Sequence, residues 1–360
     1  VASPAPAPSP GPARTFSRAS LRPLPLALAG AGLAFVAWLL WDLGPGAVWS
    51  LVRALGWRVI LVLFVPFVAA VALDTLGWSL LLPRRRPAWS ALTGARLAGE
   101  AVNLATPTGS VGGEPLKAFL IRGRVPLGPA LASVVVDKTT MVMGQAVLLA
   151  GGLVLAEIAL EPPRDLVLAM AGLLVAEVVG AGGFVLVQIR GGAAGVGRIL
   201  ERLGVRAAAR YQDLLRDVDH HLLHLYRRGW PRLLASALLH AGGWAVGGLE
   251  IYVVLRLAHV PVGLSTSLVL EAVSAAIRFA TFMIPGSLGA LEGGNVAAFA
   301  ALGLPGAAGL SFSLVRRLRE ATWAVIGLAA LAAFKAHPDG PPRDGGQPRA
   351  SDAGASAVVS

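Results

Sequence analysis

Two stretches of this chain combine charged side chains with broken backbone inside otherwise apolar sequence. Residues 99–122 read GEAVNLATPTGSVGGEPLKAFLIR and carry Glu100, Asn103, Glu114, Lys117 and Arg122 around Pro107 and Pro115. Residues 278–295 read RFATFMIPGSLGALEGGN and carry Arg278, Glu292 and Asn295 around Pro285. In both, a proline is followed by glycines and then by a glutamate at the same offset, Pro107 to Glu114 and Pro285 to Glu292. A helix interrupted by proline and glycine presents free N–H groups and the positive end of a helix dipole, a setting that holds a phosphate or carboxylate.

Charges at bilayer depth cost about 2.5–3.5 kcal/mol each on insertion scales, so they belong in a shared interior. The candidates for such an interior are Asn103, Pro107, Glu114, Lys117, Asp137, Lys138, Arg278, Pro285, Glu292, Asn295, Arg316 and Arg319. Glu114 and Glu292 stand beside the breaks and are expected to carry function. Arg316 and Arg319 have the planar donor geometry that matches phosphate oxygens, and the two asparagines suit a polar path. The structural alternative is that these charges pair among themselves and only hold helices together, for example Glu292 with Arg316.

The elements that position these residues follow from composition. The 360 residues are 55% hydrophobic and 14% charged, with mean hydropathy +0.68. A soluble domain is nearer 25% charged, so this is an all-α polytopic membrane protein. The net charge of +11 lies in tails and loops between apolar runs and reads as orientation signal and lipid contact, not as a nucleic-acid surface. There are no cysteines, hence no disulfide or thiolate chemistry. His220, His221 and His224 sit in a charged loop and read as solvated surface; no metal or other cofactor is expected.

In order, residues 1–23 are Pro/Ala/Ser-rich and expected to be a disordered cytoplasmic tail. The membrane domain is expected over 24–335, divided into a first half 24–189, a cytoplasmic helical loop 190–232 and a second half 233–335. Residues 336–360 read as a second disordered cytoplasmic tail. Apolar runs at 24–41, 58–82, 127–156, 166–189, 233–258 and 307–335 give about six full transmembrane helices. Asp74, Glu177 and Glu250 fall inside such runs. Trp38, Trp41, Trp49 and Trp57 suit an interfacial belt. The polar stretches at 88–121 and 264–305 read as two Pro/Gly-broken re-entrant hairpins, one entering from each face, in an inverted-repeat arrangement. Loop 190–232 is Arg-rich with a leucine stripe, and a helix lying on the membrane surface is expected there.

The runs NLATPTGSVGGEPLKAFLIR, ALASVVVDKTTMVMGQ, IPGSLGALEGGNVAAFAALGL and SLVRRLREATWAVIGL resemble the membrane domain of lysylphosphatidylglycerol synthases. The GGEP run, VVVDKT and DTLGW at 74–78 are similar to the free-standing, flippase-like branch associated with hopanoid biosynthesis. The resemblance covers about residues 24–335. It implies a domain that moves a lipid headgroup between leaflets of the bacterial inner membrane, with the residues above as its site. The tail after 335 is expected to hold no aminoacyl-transferase domain, so no lipid aminoacylation is expected.

Three functions follow for comparison. The first is a lipid transporter, with an anionic or polar-headgroup lipid as substrate and, there being no P-loop, no nucleotide site. The second is a non-transporting scaffold that gathers lipid-biosynthetic enzymes on loop 190–232. The third is an intramembrane enzyme using Glu114 or Glu292 as acid–base groups.

Overall fold

The computed structural model describes residues 37–38, 41, 45–83, 86–105, 112–202 and 211–336. Both expected tails, most of the expected first span 24–41, and Pro107 lie outside the described residues. Among the described residues every regular element is helical. Helix α1 covers Pro45–Leu55 and runs through a short 3-10 turn into α2, Val59–Leu81. Then come α3 (Trp89–Ala105), α4 (Glu114–Leu120), α5 (Leu127–Ala159), α6 (Arg164–Ile189), α7 (Gly192–Arg202) and α8 (Gln212–Arg228). The second half holds α9 (Trp230–Leu257), α10 (Leu264–Ala280), α11 (Ala290–Ala301) and α12 (Gly306–Ala336).

Among the described residues, four runs are long and apolar enough to cross a membrane: Arg53–Leu81, α5, α6 and α9. They coincide with the expected spans at 58–82, 127–156, 166–189 and 233–258. The 31-residue α12 has the length, but Arg316, Arg317, Arg319 and Glu320 interrupt its apolar sequence. Crossing takes about 20 residues, and α3 and α10 have 17 each, α11 has 12 and α4 has 7. The two polar stretches therefore fold as short arms on either side of a break, as the proline and glycine positions predict.

The helices pack as two related units, α2–α5 and α9–α12. At their junction α2 runs antiparallel to α9: Leu73 faces Gly242, Asp74 faces Gly243, and Gly77 faces His240. The arms are exchanged. In the first unit α3 lies on α12 of the second, with Gly94 against Phe334 and Leu97 and Ala101 against Gly327. Reciprocally, α10 lies on α5, with Ala272 against Gly152 and the Gln145 side-chain amide donating to the Ala275 carbonyl at 2.8 Å. Helix α4 packs on α5 as α11 packs on α12. Opposed α2 and α9 with exchanged arms constitute an inverted repeat.

Lipid supplies no hydrophobic drive between helices, so close packing and buried polar contacts hold them. Small residues at these crossings permit that closeness. The largest buried apolar cluster joins Leu149, Met170, Ile251, Val273, Phe299 and Phe312 from six helices. Outward-facing Val65, Val68, Val154, Ile158, Val175 and Val179 form the apolar exterior, and Trp38, Trp41, Trp49 and Trp57 are exposed, as an interfacial belt requires.

Loop 190–232 departs from expectation. Helix α8 turns Val218, Leu222 and Leu225 onto Leu81, Ala132, Val136 and Leu233 instead of presenting them outward. Asp219 accepts the N–H groups of Ala193 and Ala194 at the start of α7, 3.0 and 2.9 Å away. Tyr226 donates to Gln188 at 2.9 Å, which in turn donates to Thr139. An amphipathic stripe needs an apolar partner, and here the partner is the end of the helix bundle.

Candidate functional site

The first break is held by contacts between its arms. Gly113 sits so close to the Gly99 carbonyl that a Cβ on Gly113 would collide with it. The Gly113 N–H donates to the Asn103 side-chain oxygen at 2.7 Å, tying the end of α3 to the start of α4. Glu114, the first residue of α4, is buried. It accepts from Asn103 at 3.2 Å and pairs with Lys117 at 3.1 Å and with Lys138 of α5 at 3.6 Å. Lys117 is fully buried and also pairs with Glu100 at 2.6 Å. Glu100 and Lys138 form the open edge, with side chains 42% and 32% exposed.

The second break turns through Gly286 and Gly289, at φ 60° and 79°. This left-handed backbone favours glycine, and it lets the chain reverse within a few residues after α10. Glu292 then caps α11, accepting the Gly289 N–H at 2.7 Å. The same carboxylate accepts from Arg317 of α12 at 2.7 Å. Arg317 reaches Glu320 at 3.0 Å, and Glu320 accepts from Arg278 at 2.9 Å. This network also has an open edge, the Arg278 side chain being 28% exposed. The described ends of the two breaks are near one another: a Cβ built on Gly286 would lie 3.5 Å from Arg317 Nη1 and 4.0 Å from Leu104 Cδ1 at the end of α3.

The repeat relation extends to the charges. Lys138 and Arg317 stand at the same position in α5 and α12, and each pairs with the glutamate beyond its own break. Their neighbours Asp137 and Arg316 are also equivalent, and each pairs with the same position of the preceding arm. Asp137 takes Arg96 of α3 at 3.1 Å, whereas Arg316 takes Glu271 of α10 at 2.6 Å. The contact is conserved and its polarity reversed. Arg316 also lies 3.5 Å from Glu250, which accepts from Arg319. Arg316 and Arg319 balance Glu250 and Glu271 in charge, which limits the desolvation cost of burial.

The structure thus brings Asn103, Glu114, Lys117 and Lys138 to one break, and Arg278, Pro285 and Glu292 to the other. Asp137 belongs to a neighbouring cluster with Arg96, Asp74 and His240. Asn295 lies in the packed interior, accepting from Ser274 at 2.6 Å and donating to Ser313 at 2.8 Å. Arg316 and Arg319 face Glu250 and Glu271, and their guanidinium groups lie over Phe312 and Phe67. The partner of Glu292 is Arg317, not Arg316, because adjacent helical residues point about 100° apart. Arg96, Arg317 and His240 are absent from the sequence-based set. No signal along the chain separates Arg317 from Arg316, because a turn between Ala301 and Gly306 interrupts the helical periodicity that would relate them to Glu292. Within these charge clusters, the buried atoms with no hydrogen-bond partner among the described residues are Arg96 Nη2, Glu114 Oε2, Glu250 Oε1, Arg316 Nε, Arg317 Nη2 and Arg319 Nε.

The model of one family, the lysylphosphatidylglycerol synthase TM region, matches residues 24–329. No curated protein and no solved structure matches the chain.

Proposed function

The chain belongs to the lysylphosphatidylglycerol synthase transmembrane family, and from that premise we propose that it is a transporter moving a polar lipid headgroup between leaflets. It acts without enzymatic chemistry of its own. The observation that carries this reading is the proximity of two broken helices, one from each inverted half, near Leu104 and Gly286. Each is lined by a charge network with an open edge. Paired broken helices at a repeat interface suit alternating access to one central site. Arg317 Nη2 and the half-open Arg278 offer guanidinium donors to phosphate oxygens there.

The lipid class that follows from the family resemblance is hopanoid or glycerophospholipid. Arginines at 190, 198, 202, 216, 227, 228 and 232 favour the cytoplasmic side for that end of the bundle. The membrane is then the bacterial inner membrane, with both termini inside. The open edges of the two networks, Glu100 with Lys138 in one and Arg278 in the other, are the headgroup's entry points, and salt bridges within them open as it passes.

The test is a reconstitution with a fluorescent, headgroup-intact phospholipid whose outer-leaflet fraction is quenched by an impermeant reductant. The intact chain should raise the quenchable fraction above the half accessible in empty vesicles. Glu114→Gln and Glu292→Gln should lower that rate while eluting as folded protein. If the intact chain leaves the quenchable fraction at that of empty vesicles, the transport reading fails, and a scaffold docking partners on α8 becomes the better account; if both variants move lipid as fast as the intact chain, the two glutamates do not carry the transport.

A further inference from the structure

Beside the first break, whose Lys117 lies within electrostatic reach of Asp137 and whose Glu100 and Glu114 lie within reach of Arg96, four titratable groups from four helices meet in the interior. His240 of α9 lies between Asp74 of α2, 2.6 Å from Nδ1, and Asp137 of α5, 3.0 Å from Nε2. Arg96 of α3 approaches both carboxylates, 3.1 Å from Asp137 and 3.9 Å from Asp74. His240 is fully buried, Arg96 and Asp137 are each 2% exposed, and the Asp74 side chain is 23% exposed. Two hydrogen bonds need two protons. A neutral imidazole brings one and two carboxylates bring none. Charge gives the same count: Arg96 balances one carboxylate, and a second proton, which the ring takes as the more basic group, balances the other. Without it the interior keeps an uncompensated negative charge, which is strongly unfavourable.

We propose that Asp74, His240 and Asp137 form a proton-binding site that exchanges through Asp74 and serves as the coupling-ion site of the transporter; the coupling role rests on the transport reading. The position suits that role, because the site ties α2 to α9, the antiparallel pair at the junction of the two halves. Loss of the proton removes one of the two hydrogen bonds across that junction. The other charges facing α9 are engaged elsewhere. Lys138 of α5 turns to Glu114, Glu271 of α10 meets α9 at Gly247, and Arg316 and Arg319 of α12 meet Glu250 further along.

Nitrogen NMR of the full chain labelled at its six histidines reads the proton without any lipid movement. His240→Gln identifies the signal by its loss. An imidazolium with both nitrogens protonated at neutral pH, converting to neutral imidazole at alkaline pH, is the expected result. Asp74→Asn should move that conversion to lower pH, because it removes an anion that favours the charged ring. A neutral His240 throughout about pH 5 to 9, or an imidazolium that never titrates there, overturns the site. Lipid movement is followed separately against pH. If its profile stays put when Asp74→Asn shifts the NMR titration, the coupling role is overturned. If no lipid moves at all while the NMR result holds, the transport reading fails and the proton site stands.

Discussion

Arg317 donates to Glu292 at 2.7 Å and so joins the long helix α12 to the short helix beyond the second break. Lys138 makes the equivalent contact to Glu114 at 3.6 Å in the other half. One charge pair per half therefore spans from a break to the helix that follows it, with the carboxylate on the broken element in both. The longer of the two contacts has the more exposed cation, and it is the half in which Glu114 is shared with a second lysine, Lys117.

Breaking the Arg317–Glu292 pair from one side should be costly. Glu292→Gln leaves Arg317 with Glu320 alone, and a loss of about 3 kcal/mol is expected. The double variant Glu292→Gln/Arg317→Met should lose less than the two single changes added together, since no unpaired charge remains. Denaturant unfolding in mixed micelles measures all three.

The polarity-reversed pair gives a sharper test. Arg316→Glu alone places a third carboxylate beside Glu250 and Glu271 and should abolish the monodisperse peak in size-exclusion chromatography. Adding Glu271→Arg restores an opposite pair at the same two positions, as Arg96 and Asp137 already have in the first half. The double variant should recover a monodisperse peak. Equal loss in both would mean that charge pairing is not what the interface requires.

Two glycines predict opposite outcomes. At Gly113 a Cβ would run into the Gly99 backbone, and Gly113→Ala should destabilise by at least about 1–3 kcal/mol through overpacking. At Gly151, inside α5, a Cβ would meet nothing within 4 Å. There Gly151→Ala should be neutral or stabilise by up to about 1 kcal/mol. Thermal unfolding of the two purified variants checks the pair.

The native chain has no cysteine, so an introduced thiol is the sole target for labelling. Ser110→Cys lies in the first break, and Met283→Cys is at an exposed position just before the second. An impermeant maleimide added to sealed right-side-out membranes should label Met283→Cys, and added to inverted membranes should label Ser110→Cys. Labelling of both from one face would contradict the opposed orientation of the halves.

The sequence by itself determined the class of protein and the places where helices end. Apolar runs of span length and the low charged fraction dictate helices in a membrane, because only there are all backbone groups satisfied within the segment. Pro285 with its glycines and Gly112–Gly113 with Pro115 marked the interruptions, because these residues change backbone geometry locally. Glu114 and Glu292 were legible for the same reason, being fixed by distance along the chain from a break. What tertiary structure decided was the partner of each charge. Whether Arg316 or Arg317 meets Glu292 depends on the rotation of α12, which its packing on α3 and α11 sets. His240 reads as a lone histidine in an apolar run until α2 and α5 bring Asp74 and Asp137 to its two nitrogens from 166 and 103 residues away. The stripe on α8 likewise needs an apolar surface, and only the assembled ends of α2, α5 and α9 supply one made of protein. Local chemistry is written along the chain, whereas facing pairs are written in the relative rotation of helices far apart in it.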